Sequence, residues 1–131
     1  MNPETVQAQC LDYLASLDSG DAAHDLSHVK RVITNTRYLT DLEEANLLVT
    51  LPAACLHDCV NVPKNSPLRS ESSRLAAEQA AAFLGSIEYP DEWIPAVVHA
   101  IEAHSFSANI PCRTTEARVV QDADRLDALG A

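Results

Sequence analysis

Glycine is scarce in this chain, three residues in 131, and aromatic side chains make up only 5%. Set beside abundant Ala and Leu, that shortage points to helices. No apolar run approaches the ~20 residues that a membrane span needs, and Met1-Asn2-Pro3-Glu4 does not open like a signal peptide. The four cysteines, Cys10, Cys55, Cys59 and Cys112, lack the paired spacing of a disulfide framework. A chain without an export signal keeps its thiols reduced, so the expectation is a cytoplasmic protein with no membrane partner. Cations are also few. Nine Lys and Arg face 19 Asp and Glu, a formal net charge of -10. That balance argues against binding a nucleic-acid polymer, which needs clustered positive charge over the phosphates. It leaves room for a small phosphorylated substrate held by a metal ion and a few local cations.

What is present fits one domain. With 47% hydrophobic residues over 131 positions, the chain can bury a real core. Asn2 and Pro3 suit the start of a first helix, followed by an apolar stripe at Val6, Cys10, Tyr13, Leu14 and Leu17 that Ser19-Gly20 ends. A second helix, capped by Asp25 or Ser27, aligns Val29, Val32, Ile33, Thr36 and Leu39, with His28 near the start of the same face. A third stretch is expected from about Asp41 to Cys59, kinked or restarted at Pro52. Residues 61–70 read as a loop. A fourth helix opens at Ser70 or Ser72 and is capped at Gly85; a fifth opens at Asp91 and carries Ile94, Val97, Val98 and Ile101 inward. Thr114 or Thr115 begins a sixth, with Val120, Asp124 and Asp127 on one side. The expected fold class is all-α, a bundle of about six helices.

The chemistry concentrates where Ala53-Ala54-Cys55-Leu56 runs into His57-Asp58. A carboxylate taken into the interior costs several kcal/mol unless a cation or donors meet it there. The dipeptide alone says little, since composition predicts ~0.4 His-Asp pairs by chance; this chain has two, the other being His24-Asp25. His28, His57, Asp58 and Asp124 nevertheless lie on inward positions of three helices. Singly, each reads as a hydrogen-bonded core residue. Jointly they form a mixed nitrogen and oxygen set suited to Mn, Fe, Zn or Ni.

His28 within His-Asp-Leu-Ser-His-Val-Lys-Arg-Val, then Leu56-His57-Asp58, then Asp122-Ala123-Asp124-Arg125-Leu126-Asp127 resemble the H…HD…D signature of the HD-domain metal-dependent phosphohydrolases. The segments 57–65, 103–107 and 121–131 are similar to the bacterial YedJ/YpgQ-type subgroup. The resemblance implies a helical bundle with a central metal site and one divalent ion, Mn first, with Fe, Ni, Zn or Mg as alternatives. It implies ligation by His28, His57, Asp58 and Asp124, attack of a metal-activated water on a phosphoester or phosphoanhydride, and a nucleoside or deoxynucleoside triphosphate as substrate.

Two departures stand out. Many relatives place a carboxylate three or four residues after the pair as general acid or base; here Val60 and Asn61 stand there, and Asp127 is the candidate substitute, its alternative being a plain helix-surface carboxylate. Relatives also continue past the Asp-Ala-Leu-Gly-Ala segment, so the single domain over 1–131 is expected to lack C-terminal helices, and exposed apolar surface could then drive homo-oligomers. Asp58 is also expected to orient the water. Lys64, Arg69, Arg125 and His104 are the candidate substrate contacts, with Arg74 as a weaker one; His24 shares the His28 face only if the second helix begins that early, and otherwise reads as a loop histidine. His99 points away from the stripe that His104 continues, which favours one ion over two. Cys55 and Cys59, one turn apart, read as helix-packing residues. The rival class is a non-catalytic nucleotide-binding or regulatory domain; a purely structural bundle comes third.

Overall fold

The computed structural model describes residues 2–17, 26–60, 62, 66–105 and 108–129. They form six α-helices and no strand: α1 (Pro3–Ser16), α2 (Leu26–Leu42), α3 (Leu47–Leu56), α4 (Ser72–Ser86), α5 (Ile94–Ala103) and α6 (Thr115–Ala128). A short 3-10 turn, Arg69–Glu71, leads into α4.

The helix starts follow local capping chemistry. Asn2 Oδ1 accepts from the Glu4 amide at 2.8 Å ahead of Pro3, and Thr114 Oγ1 accepts from the Ala117 amide at 3.0 Å. The third helix departs from expectation. Instead of one stretch from Asp41, α2 runs on to Leu42, and the chain turns at Glu44 with φ 54°. Asn46 then caps α3 by accepting from the Leu48 amide at 3.0 Å. The cap was hidden in the sequence by the apolar residues on both sides of it.

Helix α3 is the hub. It packs against each of the other five helices, and every residue from Val49 to Leu56 is buried. A helix apolar on all sides has no solvent face to present, so burial all round is its stable solution. Burying Leu51 and Leu56 each contributes roughly 2 kcal/mol before entropy is charged against it. Pro52 neither breaks nor restarts α3. It lacks the amide that would bond the Leu48 carbonyl one turn back, and Tyr89, itself buried, donates its hydroxyl to that carbonyl instead.

Around this hub, α2 and α6 pack on each other and on α3, while α4 and α5 form a second pair and α1 closes a further side. Tyr13 of α1 stacks on Phe83 of α4 with ring centroids 4.1 Å apart. Two boundaries differ from the sequence reading. Gly85 lies inside α4, and the left-handed residue after that helix is Glu88, φ 59°. Asp91 belongs to a turn before α5, whose N-cap is Trp93. The expected Asp25 cap and the Ser19-Gly20 stop lie outside the described residues.

Candidate metal centre

Three helices deliver one charged cluster. His28 comes from the first described turn of α2, His57 from the C-cap of α3 and Asp124 from the third turn of α6. His28 Nε2 lies 3.1 Å and His57 Nε2 3.4 Å from the same atom, Asp124 Oδ1. One ligand atom from each residue falls within 4.8 Å of the other two.

Helix α6 is tied down on three sides. Asn35 of α2 donates to the Ala123 carbonyl at 3.2 Å, and Gln121 donates to the Ala103 carbonyl at the end of α5, also at 3.2 Å. Glu116 accepts from the Asn46 amide at 2.9 Å, just ahead of α3. These ties fix the stretch of α6 leading up to Asp124 against α2, the end of α5 and the start of α3.

The histidines are oriented by what holds their other nitrogen. His57 Nδ1 bonds the Ala54 carbonyl at 2.6 Å, and His104 Nδ1 bonds the Ile101 carbonyl at 2.5 Å. Both are C-cap residues reaching back three positions to a carbonyl of the last helical turn. A carbonyl only accepts, so Nδ1 carries a proton and Nε2 is the nitrogen left to serve as a ligand. That is the tautomer a metal ligand needs. The His104 ring meets the His57 ring edge-on with centroids 5.0 Å apart, and His57 meets His28 at 5.4 Å. His57 therefore sits between the other two.

Charge follows from this packing. Burial alone would raise the Asp124 carboxyl, but the bonds to His28 and His57 hold it far below the usual carboxylate range. His28 is pushed up to about 9, first by its bond to Asp124, against burial, and then by Asp127. Burial pulls His57 down, yet Asp124 outweighs it and the net direction is up. His104 goes the other way, to about 4, through burial and then repulsion from His57. The cluster thus holds one neutral and two proton-binding imidazoles around a permanent anion.

These residues fit a divalent ion. Ligands ~2.1 Å from a common ion lie up to roughly 4 Å from each other, and the two short separations here already satisfy that. The donors are two imidazole nitrogens and a carboxylate oxygen, a borderline set that takes Mn, Fe, Ni or Zn.

Other expected residues fall differently. Asp58 is not brought into the set of three: it is exposed in the turn after α3. The all-round burial of α3 ends with His57, and Asp58 is the first residue after it to reach solvent. Its negative charge still acts on His57 and His104. Asp127 is not free for the catalytic acid-base role the sequence suggested. Its oxygens lie 2.5 Å from His28 Nδ1 and 2.5 Å from Arg31 Nε, and Arg31 first, then His28, lower its carboxyl. His104 is beside His57 as described. Arg125 is exposed on α6, and its charge is felt by the Cys112 thiol. Arg74 pairs with Glu71 at 3.2 Å. His99 accepts from the Arg113 amide at 2.9 Å, which turns it toward the loop before α6. Cys55 and Cys59 are buried packing residues, as read. Lys64, His24 and the side chain of Arg69 lie outside the described residues. Arg31 was missed; its signal was its place one turn after His28 on the same helix.

An all-helical bundle that gathers His, His and Asp from separate helices at one partly buried centre defines a class, and the comparisons agree with it. The HD domain family profile matches residues 25–129. The chain belongs to the HD-domain family, which is a superfamily of metal-dependent phosphohydrolases. It is 34% identical over 120 residues to the "Uncharacterized protein YpgQ" of Bacillus subtilis (strain 168), covering 88% of this chain and 56% of that protein. The chain therefore spans a little over half the length of that relative. Among the described residues no helix is long and apolar enough to cross a membrane.

Proposed function

We propose that this chain is a phosphohydrolase that cleaves a nucleoside or deoxynucleoside triphosphate with one divalent ion, Mn first, held by His28, His57 and Asp124. The observation that carries the reading is the convergence of two imidazole Nε2 atoms on one Asp124 oxygen, inside a fold family of metal-dependent hydrolases. When bound, a divalent ion supplies Lewis-acid charge for phosphoryl oxygens and lowers the pKa of a coordinated water. The chain's own residues do the rest. With an ion in place, His28 and His57 would give up their Nε2 protons and present lone pairs, and Asp124 supplies the negative charge. His104, neutral with its Nδ1 tied to Ile101, offers Nε2 as a hydrogen-bond acceptor next to His57. Asp58, exposed in the turn after α3, is the residue we assign to orienting water from the solvent side. Lys64, Arg69 and Arg125 remain the candidate phosphate contacts. The unpaired cysteine spacing supports a cytoplasmic setting.

A second reading has its own support. The carboxylate best placed to replace the missing helper, Asp127, is committed to His28 and Arg31, which favours a domain that binds nucleotide and metal without turning it over. Phosphate and pyrophosphate release from a nucleotide panel with Mn²⁺ separates the two. Metal-dependent turnover that is lost in Asp124→Ala and reduced in Asp58→Ala supports the hydrolase, and the product identifies the bond cut. A folded, metal-loaded chain without turnover on any nucleotide supports the binding domain.

A further inference from the structure

His57 and His104 are each fixed by a backbone carbonyl of their own helix; His28 also makes a contact of another kind. Its Nδ1 meets a side chain on another helix, Asp127 Oδ2 at 2.5 Å. His28 is also the more exposed ligand, 22% of its side chain against 2% for His57. An imidazole at such a site can turn about its side-chain bonds and offer either nitrogen unless something selects one.

We propose that Asp127 is the positioning residue of this centre: braced by Arg31, it holds His28 Nδ1–H so that Nε2 faces the ion site beside Asp124. The inference rests on the metal-binding part of the function proposed above. The geometry is that of a carboxylate–histidine–metal arrangement. Arg31 grips the carboxylate in a fork, Nε to Oδ1 at 2.5 Å and a terminal nitrogen to Oδ2 at 3.3 Å. A fork of this kind fixes the plane of the carboxylate as well as its charge. Asp127 is one turn after Asp124, so ligand and brace come from the same face of α6 and meet His28 on its two nitrogens. The side chain of Asp127 is only 10% exposed, which keeps water from competing for the Nδ1 proton. The same contacts tie Asp127 up for acid-base work, since both of its oxygens are already engaged.

The test is Zn²⁺ affinity by calorimetry on the whole chain, for wild type, Asp127→Ala, Asp127→Asn and Arg31→Gln, with the nitrogen resonances of His28 recorded in the zinc-loaded proteins. Asp127→Ala is expected to weaken binding about 10- to 100-fold. Asp127→Asn keeps an acceptor oxygen for Nδ1–H but no charge, so it is expected to recover a clear part of that loss and to retain Nε2 as the zinc-bound nitrogen. Arg31→Gln is expected to fall between wild type and Asp127→Ala. Equal losses in Ala and Asn would reduce Asp127 to a nearby charge and overturn the positioning role, as would wild-type affinity in Ala. If the Ala variant does not fold, the comparison of Asn and Arg31→Gln with wild type decides: unchanged affinity in both overturns the proposal. Wild type binding zinc tightly without hydrolysing any nucleotide sinks the phosphohydrolase reading and leaves this one standing. Wild type binding no zinc sinks both.

Discussion

Metal affinity at this centre should depend on pH over an unusual range. In the metal-free protein His28 is a cation with its pKa pushed up to about 9 by Asp124 and Asp127. A metal ion takes the Nε2 lone pair and must displace that proton. The sign is direct: below pH 9 the proton competes, so affinity rises with pH until His28 deprotonates unaided. At pH 7 the handicap is about two pH units, worth about 2.7 kcal/mol or a hundredfold in binding. Between pH 7 and 9 the apparent association constant should therefore rise roughly fifty-fold, about tenfold for the first unit and less for the second. An ordinary imidazole titrating near 6.5 would give less than a twofold gain over the same interval. His57, also shifted upward, steepens the dependence further. Competition against a fluorescent chelator of known pH dependence, with Mn²⁺ in non-coordinating buffers, measures it. Affinity constant within twofold from pH 7 to 9 would show that His28 is not a cation in the free protein, and the electrostatic account of the cluster would fail.

Three further outcomes follow from the same structure. Thr36 Oγ1 is the one buried side-chain polar atom without a hydrogen-bond partner among the described residues. Thr36→Val keeps the shape and removes the orphan, so it should raise stability by about 1 kcal/mol in denaturant titration; a loss of that size would mean the hydroxyl has a partner. Tyr89→Phe strands the Leu48 carbonyl that Pro52 cannot serve, and should cost about 1–3 kcal/mol, whereas an unchanged melting point would show that the proline's neighbour needs no donor. His104 is held near pKa 4 by burial, below its unfolded value of 6.5. Its folded pKa is depressed, so stability is full above pH 6.5 and falls as pH drops toward 4, by up to about 3 kcal/mol. The difference between wild type and His104→Gln, followed by denaturation from pH 7 to 4, should shrink by that amount.

Much of this was legible before any coordinates. His28, His57 and Asp124 were visible because each polar residue interrupts an apolar stripe whose helical period fixes its direction. The helices were visible for the same reason. Period fails where neighbours differ: Asp58 shares the motif with His57 but is exposed, because α3 ends at Leu56 and the all-round burial of that helix ends with His57. It also fails across helices. The contact of Asp127 with His28 joins positions 99 apart in sequence, and which carboxylate ligates and which braces is decided by how α2 lies on α6. The split of the third helix escaped because Asn46 announces a start only through its own side chain. Gly85 was taken for a stop because glycine permits the left-handed conformation, yet the structure gives that conformation to Glu88.

The two histidine caps carry a consequence for dynamics. His57 and His104 sit where α3 and α5 end, and helix ends are where local opening begins. Each holds its last turn closed through Ala54 or Ile101 and presents its other nitrogen inward. Fraying of either terminus and loss of the inward-facing nitrogen are then one event. The amides of those last turns should exchange with solvent as a pair, and anything that occupies the centre should slow both together, turning two neighbouring helix ends into a reporter on a site neither of them touches through its backbone.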